Sequence, residues 1–241
     1  MTGSDVTESE VYISRFLVVA TRENTKGLIP DINGLESYGG ECIQSSQHGN
    51  GRKHRGKDVL VVGCGNSGME IAHDIWIWGA NTSIVIRNPV HVLTKEMAKM
   101  AMVMLQYLPV KVVDTITVTA SKLKYGIQRP REGPFHLKQI TGRSAVIDVE
   151  TVSKIKAGEI QVMPSVKHIQ DRDVIAFANG ESSRFDAIVF AAWYKSTVRN
   201  WLEGSRESFD EKGMPTKGFP DHWKGENGIY TAGFSRRGLQ G

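Results

Sequence analysis

The segment 58–72 constrains the fold of this chain more than any other part of its sequence. It reads as an aliphatic strand, a G-x-G-x-x-G turn and the first residues of a helix. In a dinucleotide-binding βαβ unit, Gly63 allows the tight turn, Gly65 lets the backbone approach a pyrophosphate, and Gly68 lets the helix lie close to the strand. The amide groups at the start of the helix then face the phosphates. The pattern predicts a Rossmann-like α/β domain.

The residues that follow this turn support the same unit. Ile71, Ile75 and Trp78 recur at helical spacing, and Gly79 is typical of the end of a helix. The segment 82–86 is aliphatic and predicts a second strand. The order strand, glycine turn, helix and strand makes the motif more specific than a lone glycine pattern.

Arg87 follows the second strand, at the position that reads the adenosine ribose in this fold. A carboxylate there would bind the 2′-hydroxyl of NAD, whereas a guanidinium offers paired donors and a permanent charge to the 2′-phosphate of NADP. The sequence therefore favours NADP, the alternative being that Arg87 is a solvated residue at a strand end. Asn66 and Ser67 could cap the helix as well as contact phosphate. The candidate cofactor-binding residues are Gly63, Cys64, Gly65, Asn66, Ser67, Gly68 and Arg87.

Composition limits the class of protein. The chain has 241 residues, 40% of them hydrophobic, and a net charge of +4, which describes an ordinary globular α/β protein. The basic clusters 52–55 and 236–237 lack the interleaved aromatic residues of a nucleic-acid groove, so no nucleic-acid partner is expected. Cys42 and Cys64 form neither a disulfide framework nor a zinc site, and no metal ligand is assigned. A polar N-terminus without a signal peptide predicts a cytoplasmic location.

The segment 97–123 is the most apolar part of the chain. Lys99, Lys111 and Asp114 interrupt it, so we expect no stable membrane span. Pro109 divides it into two predicted amphipathic helices.

Further strands are expected on both sides of the glycine motif. The segments 12–20, 186–192 and 228–232 read as strands of an outer domain, and the basic segment 49–56 reads as a linker. Between them, 159–163, 166–169 and 174–177 read as short antiparallel strands. This layout predicts one nucleotide-binding domain inserted into another.

The chain resembles the plant flavin-containing monooxygenases of the YUCCA type. The resemblance rests on several motifs in the right order over nearly the whole chain: Gly63-Cys64-Gly65-Asn66-Ser67-Gly68-Met69-Glu70, Arg15-Phe16-Leu17-Val18-Val19-Ala20-Thr21, Val90-His91-Val92-Leu93, Leu108-Pro109-Val110, Arg129-Pro130-Arg131-Glu132-Gly133-Pro134, Asp148-Val149, Lys154-Ile155-Lys156-Ala157-Gly158, Phe185-Asp186-Ala187-Ile188 and Tyr194-Lys195-Ser196.

The resemblance implies a flavoprotein with two dinucleotide-binding domains. The NADPH-binding domain would be 51–185, inserted into a partial FAD-binding domain made of 1–50 and 186–241. The implied reaction is the oxidative decarboxylation of indole-3-pyruvate, a 2-keto acid, to indole-3-acetate with NADPH and O2, a step of auxin biosynthesis. The flavin carries this chemistry, so no catalytic side chain is assigned. Lys195 would touch the cofactor, the alternative being a surface lysine. His91 could help at the phosphate or be a loop residue bonded to backbone.

The sequence also departs from the family pattern. It holds one G-x-G-x-x-G motif where the family has two, and it resembles an interior part of such an enzyme, truncated at both ends. Gln44 replaces a histidine of the family signature, with His48 at its last position, and Arg22 and Trp193 replace glycines of the two linkers. Three hypotheses follow: a flavin monooxygenase, a non-catalytic NADPH-binding fragment of such an enzyme, and an unrelated NADP-dependent dehydrogenase, which ranks last because no catalytic set for it is apparent.

Overall fold

The computed structural model describes residues 10–21, 25–121, 126–141, 144–192, 194–218 and 221–234. These residues divide into two compact units, one from the described parts of Met1–Thr25 and Ser196–Ser235 and the other from those of Lys26–Lys195. The assignment of 51–185 to NADPH and of the flanking segments to FAD stays a prediction.

The strands are β1 (Leu17–Val19), β2 (Lys26–Gly27), β3 (Glu41–Gln44), β4 (Asp58–Val62), β5 (Asn81–Val85), β6 (Val92–Leu93), β7 (Val146–Ile147), β8 (Ile160–Met163), β9 (Val166–Ile169), β10 (Val174–Phe177), β11 (Ser182–Arg184), β12 (Ala187–Phe190), β13 (Tyr194–Lys195) and β14 (Ile229–Thr231). The helices are α1 (Asn66–Ile77), α2 (Lys95–Met104), α3 (Val110–Ala120), α4 (Pro134–Thr141), α5 (Thr151–Lys156) and α6 (Val198–Trp201).

A parallel sheet of five strands forms the centre of the larger unit, in the order β3-β12-β4-β5-β8. The predicted βαβ unit is confirmed, because β4 runs through α1 into β5 and the two strands pair in parallel. The segment 186–192 was expected to be a strand of an outer domain, but its strand β12 pairs with β4 in this central sheet. Its four residues are all buried, as expected of a central strand covered on both faces.

The two faces of this sheet bury alternate residues of the same strands. Val59 and Val61 of β4 pack on the α1 side, whereas Leu60 and Val62 pack on the other side. Helix α1 contributes a buried stripe at helical spacing: Gly68, Met69, Ile71, Ala72 and Ile75. The opposite face is covered by the antiparallel sheet β11-β10-β9. These two layers fix the carboxyl end of β4, where the glycine turn begins.

Two expectations for the larger unit are wrong. The segment 159–163 was expected to be an antiparallel strand, but β8 pairs in parallel with β5, whereas the other two segments, β9 and β10, pair antiparallel as expected. The segment 49–56 is not a linker, because Gly51–His54 forms a 3-10 helix with Gly51 and His54 buried. A Cβ on Gly51 would lie 2.7 Å from the Cα of Ile75, so the segment packs directly on α1.

The apolar segment after β6 folds as the sequence predicts. It forms α2 and α3, and Pro109 is the N-cap residue of α3. Within the described residues, no helix is long and apolar enough to cross a membrane.

The smaller unit contains a parallel pair of strands, β1 and β14. Val19, Val198, Phe209 and Phe234 form its buried core. The segment 12–20 was expected to be a strand, but β1 covers only three of its residues, of which only Val19 is buried. Among the described residues, β1 pairs with one strand only, β14. The side chains of Leu17 and Val18 therefore stay exposed.

Candidate nucleotide-binding site

Two glycines allow α1 to start immediately at the end of β4. Gly63 has a φ of +124°, a region that side chains disfavour, and a Cβ there would also lie 3.0 Å from the carbonyl oxygen of Ala191. A Cβ on Gly68 would overlap the carbonyl oxygen of Gly63. The chain therefore turns tightly out of the strand, and the helix lies against the turn, as the glycine pattern predicts.

The N-terminus of α1 offers hydrogen-bond donors. Gly65 is the N-cap residue, and no side chain caps the helix. The expectation that Asn66 and Ser67 cap it is wrong, because Asn66 is the first helical residue and its Oδ1 accepts a hydrogen bond from the amide of Ile147 at 2.9 Å. The amides of 66–68 have no partner within the helix, which makes this end suited to an anion.

Gly65 leaves the approach to these amides open. Its backbone is extended, with φ of −71° and ψ of −177°, and apart from its chain neighbours no heavy atom of the described residues lies within 4 Å of where a Cβ would stand. A phosphate group can therefore come close to the backbone at this point, which fits the cradle that a dinucleotide requires.

A cleft of about 400 Å³ lies at the carboxyl edge of the parallel sheet. Its size is within the range of small-molecule and cofactor sites. It is lined by Pro30, Asp31, Ile32, Asn33, Val62, Gly63, Cys64, Val85, Arg87, Asn88, Ser165, Val166, Lys167 and Ala192. In open parallel sheets, ligands bind outside the carboxyl ends of the strands, which is the position of this cleft.

The charged groups of the cleft are two cations and one carboxylate. Arg87 and Lys167 are exposed side chains that line it, and the exposed Asp31 lines it too. Cys64 is half-buried, and burial raises the pKa of its thiol, so the sulfur adds no negative charge at neutral pH. The net charge of the wall is therefore positive, which favours an anionic ligand.

The structure brings together some of the candidate residues. Gly63, Cys64 and Arg87 line the cleft, and Gly65, Asn66, Ser67 and Gly68 form the start of the adjoining helix without lining it. Lys195 does not line the cleft; it lies in β13 and pairs with Lys26 of β2. The binding roles of all these residues stay predictions.

His91 lies in a structural contact. Its side chain is buried, and its Nε2 donates a hydrogen bond to the carbonyl oxygen of Glu132 at 2.7 Å. Burial lowers the pKa of this imidazole. This geometry favours the alternative of a loop residue bonded to backbone.

Gln44, which replaces a histidine of the family signature, has a local role in the fold. Its buried side chain accepts a hydrogen bond from the backbone amide of Ser46 at 2.8 Å, and the backbone amide of Gln44 donates to Oε1 of Gln47. The two bonds form a capping box at the 3-10 helix Ser45–Gln47. The other two departures, Arg22 and Trp193, lie outside the described residues.

His48, at the last signature position, belongs to a buried cluster that sequence reasoning missed. Its Nε2 donates to Oδ2 of Asp74 at 2.8 Å, and its ring stacks on that of His54 with centroids 6.2 Å apart. His54 is fully buried, and neither of its ring nitrogens has a hydrogen-bond partner among the described residues. No spacing rule in the sequence signals such a contact between a 3-10 helix and α1.

Sequence reasoning also missed two walls of the cleft, 30–33 and 165–167. Neither segment has a motif of its own. The only available signal was the adjacency of consecutive parallel strands, which places the residue after β8 beside the residue after β5.

Comparison with known proteins assigns the family. The family model described as flavin-binding monooxygenase-like matches residues 4–214. The chain is 50% identical over 240 residues to the probable indole-3-pyruvate monooxygenase YUCCA10 of Arabidopsis thaliana. The matched region covers 97% of this chain and 63% of that protein. It is 42% identical over 243 residues to the indole-3-pyruvate monooxygenase YUCCA1 of Oryza sativa subsp. japonica, covering 96% of this chain and 60% of the relative.

Solved structures agree at the level of the fold. The chain is similar to a flavin-containing monooxygenase from Stenotrophomonas maltophilia with a TM-score of 0.64 and 16% identity, covering 93% of this chain and 56% of that one. The chain spans less than two thirds of the length of these relatives. The match of the family model over most of the chain, together with these identities, shows that the chain belongs to the flavin-binding monooxygenase-like family.

Proposed function

We propose that this chain provides the nucleotide-binding part of a flavin-dependent monooxygenase that converts indole-3-pyruvate to indole-3-acetate with NADPH and O2. The observation that carries the proposal is the cleft that both the glycine turn at Gly63 and Arg87 line. The names of the relatives from Arabidopsis and rice support the 2-keto acid substrate.

In this proposal the cleft and the adjoining start of α1 have separate tasks. The amides of 66–68 bind the pyrophosphate, Gly65 gives it room, and Arg87 binds the 2′-phosphate. FAD, when bound, supplies the activation of O2 after its reduction by NADPH. The protein orients the nucleotide and excludes water from it. Lys195 remains a candidate cofactor contact by resemblance, and a cytoplasmic location and the absence of a nucleic-acid partner remain predictions.

The proposal is tested by two measurements on the purified chain. A fluorescence or calorimetric titration with NADPH should saturate, and the protein with added FAD should show flavin absorbance and consume NADPH and O2 when indole-3-pyruvate is present. A titration that stays flat at millimolar NADPH would overturn the nucleotide assignment. A preparation that binds NADPH but never takes up FAD would remove the oxygenase reaction from this chain.

The second candidate is an NADPH-binding module without redox turnover. The observation that favours it is the single G-x-G-x-x-G motif in the 241 residues. It predicts saturable NADPH binding with no formation of indole-3-acetate. Sustained product formation by the isolated chain would rule it out.

A further inference from the structure

Lys167 places a second cation in the wall of the nucleotide cleft. It lies in β9, and its side chain is exposed and lines the same cleft as Arg87. Neither the glycine motif nor any family motif that the sequence carries includes this residue. Its position therefore has to be explained from the geometry of the sheet.

The strand register brings Lys167 to the Arg87 side of the cleft. Val85 and Met163 form the last residue pair between the parallel strands β5 and β8. Arg87 and Ser165 each lie two residues beyond this pair. Lys167 follows Ser165 by two residues, a path of at most about 7 Å. A lysine side chain is long and flexible enough to cover such a distance.

The charge of Lys167 is available to a ligand. Within the described residues, no carboxylate lies within 4.0 Å of its ammonium group, whereas other lysines of the chain, such as Lys53 and Lys217, are paired with glutamates. The carboxylate of the cleft, Asp31, is among those that lie farther than 4.0 Å from this ammonium group, although its segment is joined to β9 by a hydrogen bond from the amide of Ile169 to the carbonyl oxygen of Asn33. An anionic group of a ligand is therefore favoured between the end of β5 and the start of β9.

We propose that Lys167 acts with Arg87 as a second residue that reads the 2′-phosphate of the nucleotide. Arg87 supplies a planar fork of donors, and Lys167 supplies a point charge to the same dianion. The inference rests on the proposed function, because it requires that the cleft takes NADPH. The inference deepens the proposed function by naming a second residue that raises the affinity for NADPH relative to NADH.

The test uses two fragments of the nucleotide, adenosine 2′,5′-bisphosphate and 5′-AMP, which differ only in the 2′-phosphate. Calorimetric titrations are compared for the unmodified chain, Lys167→Met and the control Lys156→Met, an exposed lysine of α5 that does not line the cleft. Lys167→Met should weaken the bisphosphate about tenfold, the scale of one hydrogen bond to a charged group, and change 5′-AMP less than twofold. Lys156→Met should change neither.

The outcomes separate the two proposals. Equal weakening of both fragments by Lys167→Met, or no weakening of either, would overturn the role of Lys167 and leave the NADPH site standing, provided that the unmodified chain prefers the bisphosphate. No preference in the unmodified chain would overturn both. A circular dichroism melt of Lys167→Met that matches the unmodified chain shows that a change in affinity does not come from unfolding.

Discussion

The Cα of Gly68 faces the carbonyl oxygen of Gly63 so closely that a Cβ on Gly68 would overlap it. Helix α1 therefore packs against the end of β4 through bare backbone. We expect Gly68→Ala to lower the free energy of unfolding by about 1–3 kcal/mol, the scale of overpacking, because neither backbone segment can rotate away. Chemical denaturation of the purified chain measures this change.

Gly65→Ala is the matched control for that substitution. A Cβ at Gly65 meets no atom of the described residues within 4 Å, and its φ of −71° suits any residue. We therefore expect the unfolding free energy to stay within about 0.5 kcal/mol of that of the unmodified chain. NADPH affinity should nevertheless fall, because the added methyl group stands next to the first-turn amides. A loss of stability equal to that of Gly68→Ala would contradict this account of the turn.

Arg87→Ala should weaken NADPH much more than NADH. The substitution removes a charged partner of the 2′-phosphate, a group that NADH lacks, and the expected loss is on the order of 1.5–3 kcal/mol. Fluorescence titration with both nucleotides measures the difference. Arg184→Ala serves as the control, since Arg184 is an exposed arginine that lies 3.7 Å from Asp173 and does not line the cleft. An equal loss for NADPH and NADH would mean that Arg87 does not read the 2′-phosphate.

The buried His54 predicts a loss of stability in acid. Burial lowers the pKa of this imidazole in the folded chain, so the unfolded chain takes up a proton first as pH falls below the ordinary histidine pKa of about 6.5. The free energy of unfolding should therefore be constant above this pH, decrease below it, and level off below the folded pKa. His91 contributes with the same sign because burial lowers its pKa too.

His54→Leu isolates the contribution of that residue. Neither ring nitrogen of His54 has a hydrogen-bond partner among the described residues, and Glu41, whose Oε2 lies 3.8 Å from Nδ1, keeps its ion pair with Lys53. Removing the ring nitrogens therefore leaves no donor or acceptor stranded. We expect a smaller decrease in stability between pH 7.5 and 5.5 than in the unmodified chain, measured by denaturation at each pH. A slope identical to that of the unmodified chain would assign the acid sensitivity to other groups.

Asp114 anchors the start of α4. Its carboxylate oxygens accept hydrogen bonds from the amides of Phe135 at 2.8 Å and His136 at 2.9 Å, and its side chain is buried. Asp114→Ala should cost about 0.5–2 kcal/mol, as for the loss of an N-terminal cap, while Asp114→Asn should retain one of the two bonds and cost less. Thermal denaturation ranks the three chains. A cost for Asp114→Ala well below about 0.5 kcal/mol would show that the carboxylate does not act as a cap.

The sequence predicts the βαβ unit because its determinants are local. A positive φ requires glycine at position 63, and close contact with the carbonyl oxygen of Gly63 requires glycine at position 68. Both requirements act within a few residues of the chain. The positions of β3 and β12 depend on which strands meet in space, and an aliphatic run such as 187–190 fits any central position. The direction of β8 was missed for the same reason.

The candidate site is predicted from the sequence only in part. Gly63, Cys64 and Arg87 were found because they follow the strands of the motif. Lys167 and the segment 30–33 come to the cleft from other elements, through strand pairing that no spacing in the sequence reports. The stacked rings of His48 and His54 were missed because the contact depends on the packing of Gly51 against Ile75.

The thiol of Cys64 can report whether a ligand occupies the cleft. It stands in the wall, while the other free cysteine, Cys42, lies in β3 and does not line the cleft. A maleimide fluorophore would thus label both cysteines, and a nucleotide bound in the cleft would shield Cys64 but not Cys42. The protection of a single sulfur, followed by mass spectrometry, turns occupancy of the cleft into a signal that needs neither flavin nor turnover.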